Sequence, residues 1–301
     1  MNSFSRRNFL TTLAGAAGAA PWLLNAASQD DIPPPPQVTL GKTGITCSRL
    51  AQGTGMKGGN RQSNHTRMGF EALVNLFRHG YERGVTFFDL ADMYGSHPYF
   101  REALRHIPRD KIAILTKLWW RFDGKPDETP DDYKRRSCQM ALERFLTEIA
   151  TDRLDFVLLH CVTVENWDQE LAPYMETLAK AKEKGTVRAL GVSCHSLIAL
   201  KKAAEHPWVD AVLARINPKG AKMDGTVEEV VPVLRRIKEN GKTLLGMKIY
   251  GEGTLAHMKD ECMKYAQGLG LIDAMTVGAE SPAEIDESLR LMAKYPAAPI
   301  I

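Results

Sequence analysis

Asp89, Tyr94, Lys117 and His160 set a carboxylate, a phenol, an amine and an imidazole at or just past the ends of three consecutive apolar runs. Asp89 and Tyr94 follow residues 85–88, Lys117 follows 112–115, and His160 follows 156–159. A phenol with an unperturbed pKa of about 10 is a weak acid at neutral pH. A neighbouring ammonium stabilises the phenolate and lowers that value. Asp89 can hold Lys117 charged and in place, and His160 can donate a hydrogen bond to a substrate oxygen. Together they form a site that protonates or deprotonates an oxygen attached to carbon.

Such a set needs a scaffold that brings several strand ends together. Strand-like runs occupy 49–53, 85–89, 112–116, 155–160, 188–193, 210–216, 243–249 and 272–277. Helical patterns follow at 69–83, 98–106, 131–150, 169–184, 196–205, 227–239, 258–268 and 282–293. Strict alternation of eight strands and eight helices predicts an α/β fold, a (β/α)8 TIM barrel, whose active site lies at the C-terminal strand ends. The strands are nearly continuous apolar runs, as burial on both faces requires. A hairpin turning at Gly41 to Gly44 precedes them and is expected to cover the N-terminal end of the barrel. Long connections at 55–66 and 121–132 are candidate substrate walls.

The chain of 301 residues suits one barrel domain, expected over 38–301. A formal charge of +3 without a basic patch speaks against a nucleic-acid partner. Residues 1–28 read as a signal peptide: Arg6 and Arg7, then Phe9 and Leu10, then an uncharged run rich in Ala and Gly. The paired arginines resemble a bacterial twin-arginine signal, which implies the twin-arginine translocation machinery as a partner and a periplasmic or extracytoplasmic location. The apolar run is shorter than the ~20 residues that span a bilayer, so no stable membrane insertion is expected after processing. A Pro-rich linker over 29–37 reads as a stiff spacer. The five cysteines are odd in number and widely spaced, unlike a disulfide framework. His160-Cys161 and Cys194-His195 form a mirrored pair, but alternation along a strand turns one member of each pair toward the helices. Buried thiols, rather than a metal site, are expected there.

Several segments in order resemble the aldo-keto reductase family. Leu40-Gly41-Lys42-Thr43-Gly44 is similar to its opening hairpin, and Phe88-Asp89-Leu90-Ala91-Asp92-Met93-Tyr94-Gly95 to its F-D-T-A-x-x-Y-G signature. Thr116-Lys117-Leu118-Trp119 resembles the lysine segment, and Asp155-Phe156-Val157-Leu158-Leu159-His160 the histidine strand. Residues 185–193 are similar to the G-K-I-R-x-I-G-V-S block.

The resemblance implies hydride transfer between a nicotinamide cofactor and a small carbonyl or alcohol. It implies Tyr94 as general acid or base, Lys117 tuning it, Asp89 pairing with Lys117, and His160 orienting the carbonyl. It also implies cofactor contacts at Gly53, Thr54, Ser193, Cys194, Lys248, Gly278 and Ala279, and substrate contacts at Trp119 and Trp120. The chain departs from the pattern at Cys194, where Asn is usual, at Leu213, where Gln is common, and at Met247, where many members stack a Tyr. The segment 277–282 resembles the family's P-G-x-x-x-P, yet Glu280 and Glu284 stand where basic side chains usually grip a 2′-phosphate. NADP(H) is therefore the family default and NAD(H) a close rival. These departures also leave open a nucleotide-binding sensor or auxiliary subunit with little turnover.

Overall fold

The computed structural model describes residues 32–300. The expected signal peptide and the first residues of the linker lie outside the described residues. The described chain opens with an antiparallel hairpin, β1 (Gln37–Leu40) and β2 (Ile45–Ser48), joined through a 3-10 turn at Gly41–Thr43. Eight parallel strands follow: β3 (Leu50–Gly53), β4 (Phe87–Asp89), β5 (Ala113–Leu118), β6 (Leu154–Val162), β7 (Val187–Cys194), β8 (Ala211–Arg215), β9 (Thr243–Met247) and β10 (Ala274–Val277). They close into a barrel in chain order, with β10 pairing back onto β3.

The helices are α1 (Asn64–Arg67), α2 (Phe70–Glu82), α3 (His97–Ala103), α4 (Asp131–Ile149), α5 (Trp167–Glu170), α6 (Ala172–Glu183), α7 (Leu197–Glu205), α8 (Val227–Glu239), α9 (Lys259–Gly268) and α10 (Pro282–Lys294). The eight longer ones match the expected pattern. The single turns α1 and α5 were not expected, because one turn carries too little periodicity to register. A capping box fixes the start of α1, Ser63 accepting from the Thr66 N–H and Thr66 accepting from the Ser63 N–H.

Strand alternation sorts the core into two layers. Ala51, Phe87, Leu115, Phe156, Leu158, Ala189, Leu213 and Leu245 fill the barrel, with Leu40, Ile45 and Cys47 of the hairpin closing its N-terminal end. Phe88, Ile114, Leu118, Val157, Leu159, Val192, Val212 and Met275 face outward and pack under the helices. Two strands run further than the apolar runs suggested. Strand β5 continues through Lys117 to Leu118, and β6 continues through His160 to Val162. Lys117 and His160 are therefore held within strands, as the run 155–160 indicated for His160. At the opposite end, fully buried Asp155 accepts from Arg109 (2.8 Å), Arg188 (2.9 Å) and the Ile114 N–H (2.9 Å). No helix among the described residues is long and apolar enough to cross a membrane.

Candidate active site

The two-residue period carries the inner face of each strand up to the C-terminal mouth. Asp89 ends β4, Lys117 lies two positions after Leu115 on β5, and His160 lies two positions after Leu158 on β6. Lys117 forms an ion pair with the Asp89 carboxylate and donates to the Leu90 carbonyl at 3.0 Å. Both partners are buried.

Tyr94 reaches the mouth from a 3-10 turn, Asp92–Tyr94, just past β4. Gly95 ends the turn with φ +66°, and any side chain there would collide with the Arg61 carbonyl, so glycine is required on both counts. Asp92, 2% exposed, anchors the turn by accepting from both terminal nitrogens of Arg144 at 2.8 Å. Arg144 also donates to Glu148, at 3.2 Å. Glu148 in turn meets His97 Nδ1 at 2.9 Å, and His97 Nε2 meets Thr116 Oγ1 at 2.8 Å. One polar network thus links the Tyr94 turn to the residue preceding Lys117.

The Tyr94 hydroxyl lies 3.4 Å from His160 Nε2, and the Lys117 ammonium stands 4.8 Å from the Tyr94 ring centroid. Burial pushes the phenol well above its ordinary pKa, and the Asp89 carboxylate pushes in the same direction. Burial thus sets the net direction, opposite to the lowering expected from Lys117 alone. Burial pulls Lys117 down while Asp89 pulls it up. Burial, and then the Lys117 charge, hold His160 well below the usual imidazole range. The set is therefore a protonated phenol beside a neutral imidazole, over a buried ion pair.

Strand β6 carries a bulge between Leu159 and Val162, with Cys161 in the left-handed region at φ +58°. The Cys161 N–H donates to Ser193 Oγ at 2.9 Å, and Cys161 Sγ lies 3.3 Å from His195 Nε2. Simple alternation held for Cys194, which packs in the outer shell, but not for Cys161, which the bulge turns toward His195. All five cysteines are free thiols. The Trp119 ring stands 5.3 Å from the His160 ring. Trp120 faces outward into the helix-side core and donates its indole N–H to the His160 carbonyl at 2.9 Å, so it braces the strand instead of lining the mouth.

A cleft of about 280 Å³ opens beside Tyr94 and Asp89. Gly53, Lys248, Gly278 and Ala279 line it, with Leu213 and Met247 as apolar walls. Lys248 pairs with Glu252 at 3.1 Å. Three other residues expected at the cofactor have different surroundings. Thr54 donates to the Asp89 carbonyl at 2.9 Å, the Ser193 hydroxyl receives the Cys161 N–H, and Cys194 is in the outer shell. Met56, Tyr250, Glu252 and Thr276 also line the cleft and were not singled out from the sequence. The paired glycines around Glu252 were the available signal for that segment. Beside Ala279, the Glu280 carboxylate accepts from Asn64 at 2.8 Å, while its N–H donates to Glu284 at 2.8 Å.

Residues 49–269 match the sequence model of the Aldo/keto reductase family. Probable aldo-keto reductase 1 of Glycine max is 29% identical over 211 residues, covering 66% of this chain and 56% of the relative. NADH-specific methylglyoxal reductase of Escherichia coli K12 is 23% identical over 210 residues, covering 66% of this chain and 63% of the relative. The chain thus spans 56% and 63% of the lengths of these curated relatives. An aldo-keto reductase from Bacillus halodurans in its holo form shares the fold, with a TM-score of 0.63, 18% identity, and coverage of 88% of this chain and 92% of that one. With the sequence model matching across most of the barrel, this protein belongs to the aldo/keto reductase family.

Proposed function

We propose that the protein is a nicotinamide-dependent oxidoreductase that reduces a small carbonyl compound, or oxidises the corresponding alcohol, with Tyr94 as proton donor or acceptor. The observation that carries this reading is the Tyr94–His160 pair, 3.4 Å apart, beside an open cleft and over the buried Asp89–Lys117 pair. The bound cofactor supplies the hydride that adds to the carbonyl carbon. Tyr94 gives its hydroxyl proton to the carbonyl oxygen. Neutral His160 donates Nε2–H to that oxygen and orients it. Lys117, fixed by Asp89, stabilises the phenolate that forms.

The cleft fits such a cofactor. Gly53 and Gly278 line it without side chains, and Leu213 and Met247 offer apolar contact for a ring. Gly278 packs against Met56: a Cβ there would approach Met56 Cγ to 2.7 Å. Glu280 and Glu284 also line the cleft, where two carboxylates would repel a 2′-phosphate and accept from ribose hydroxyls. This favours NAD(H) over the family default, NADP(H). The Escherichia coli relative carries an NADH-specific name.

The test uses the purified wild-type protein and Tyr94→Phe. NADH and NADPH are titrated by fluorescence, and turnover is measured on a panel of aldehydes and ketones. Tyr94→Phe is expected to keep cofactor affinity and lose about 10²–10⁴-fold in kcat. Wild-type protein that binds NADH and never oxidises it would support the sensor reading instead. Tighter binding of NADPH would overturn the cofactor choice.

We also propose export by the twin-arginine route, on the strength of Arg6-Arg7 followed by Phe9-Leu10. An Arg6→Lys/Arg7→Lys variant is expected to stay in the cytoplasm, as read by fractionation and by mass spectrometry of the mature N-terminus. Unchanged export of that variant would exclude the route.

A further inference from the structure

Beyond His160, the inner-face register continues around the mouth. His195 lies two positions after Ser193, just past β7, and Arg215 lies two positions after Leu213 at the end of β8. The His160 and His195 rings are 6.5 Å apart. Arg215 Nη2 donates to His195 Nδ1, and Arg215 Nη1 pairs with Asp224 at 3.2 Å. This fixes the His195 tautomer: Nδ1 accepts, so Nε2 carries the proton. Burial and the Arg215 charge hold His195 near pKa about 3, so it is neutral, and its Nε2–H faces Cys161 Sγ at 3.3 Å.

Arg215 is mostly buried, its side chain 18% exposed, and its Nε–H finds no protein acceptor. Asp224 offsets this charge through Nη1, although burial raises the Asp224 carboxyl to about 6. Three further cations act on His195: Lys248, Lys117 and Arg121. Lys248 is paired with Glu252, whereas Arg121 donates to the neutral Thr163 hydroxyl at 3.1 Å and lies 4.4 Å from the Trp120 ring centroid. The mouth is thus polarised, with a proton donor on the Tyr94 side and guanidinium groups on the Arg215 side.

We propose that Arg215, with His195 beside it, forms an anion subsite, and that the preferred substrate is a carbonyl compound bearing a carboxylate. This rests on the carbonyl-reductase reading above and names the substrate class for that site. A planar guanidinium matches a carboxylate edge-on. A dianionic phosphate fits less well, because Asp224 already pairs with the guanidinium. The Trp119 ring beside His160 suits a flat apolar spacer between carbonyl and carboxylate.

The test compares 4-formylbenzoate with 4-methylbenzaldehyde, which are similar in shape, the first an anion and the second uncharged. Calorimetric binding and kcat/KM with NADH are measured for wild type, Arg215→Lys and Arg215→Met. The variant Arg215→Met/Asp224→Asn serves if a lone buried Asp224 prevents folding. The carboxylate is expected to be favoured by about tenfold or more in both readouts, as a charge-assisted hydrogen bond allows. The preference should fall to about one without the guanidinium and be intermediate with Lys. Equal binding of the two aldehydes to wild type, or a preference that survives in Arg215→Met or in Arg215→Met/Asp224→Asn, would overturn the subsite. Arg215-dependent binding of 4-formylbenzoate without turnover would uphold the subsite and sink the reductase reading.

Discussion

The backbone of Gly55 lies against the ring of Tyr94. A Cβ at Gly55 would stand 2.7 Å from Tyr94 Cε2 and 2.8 Å from its hydroxyl oxygen. Gly58 approaches the other edge, where a Cβ would stand 2.6 Å from Cδ1. The loop after β3 therefore sets the ring position from above, while the Asp92–Arg144 pair sets it from behind.

Gly55→Ala is expected to displace the Tyr94 hydroxyl from His160 without unfolding the barrel. Gly55 is not among the glycines with positive φ, so the cost comes from overpacking, about 1–3 kcal/mol. Because reaction geometry tolerates little displacement, kcat should drop by about tenfold to a hundredfold. Steady-state kinetics and thermal melting together check this. A variant with wild-type kcat would show that the ring can relax.

The pH profile should be asymmetric between the two reaction directions. Reduction needs the protonated phenol, and burial together with Asp89 raises the Tyr94 pKa well above its ordinary value. The acid form then persists, and the reduction rate should be flat from about pH 6 to about pH 9. Alcohol oxidation needs the phenolate, so its rate should keep rising with pH over the same range. His160 is held far below 6.5 and should add no acid limb near neutrality. A reduction profile that halves near pH 7 would contradict this assignment.

Glu148 should make a pH-dependent contribution to stability. Burial alone would raise its pKa, but hydrogen bonds from His97 and Arg61, aided by the Arg144 charge, bring it down from 4.5 to about 2. Burial favours neutral His97, so its Nδ1–H serves Glu148 as a donor more than as a charge. A depressed carboxylate pKa stabilises the fold above 4.5, and that contribution is lost as pH falls from 4.5 toward 2. Glu148→Gln should therefore cost about 1–3 kcal/mol at pH 7 and progressively less toward pH 2. Thermal melts of both proteins across that range check the convergence, and a constant difference would refute it.

Much of the site was legible because strands obey a period of two. Asp89, Lys117 and His160 could be placed at the C-terminal ends of consecutive strands from apolar spacing alone, and the barrel followed from alternation. Cys161 escaped that rule, since a left-handed residue inside a strand leaves no mark in composition. The Asp92–Arg144 contact joins residues far apart in the chain, so no local pattern pointed to it. The direction of the Tyr94 shift was misread for a related reason. A list of nearby groups shows a Lys, whereas the burial that outweighs it is a property of the assembled mouth. Arg215 was readable by the same period as Lys117, two places after an inner Leu, but an arginine at a strand end has no chemistry of its own to draw notice.

The hairpin at the floor of the barrel has a consequence for redesign. With Leu40 and Ile45 stoppering one end, and Asp155 tied there by Arg109 and Arg188, cohesion is concentrated away from the rim. The rim loops can then be exchanged as interchangeable parts, with new specificities grafted onto an unchanged base.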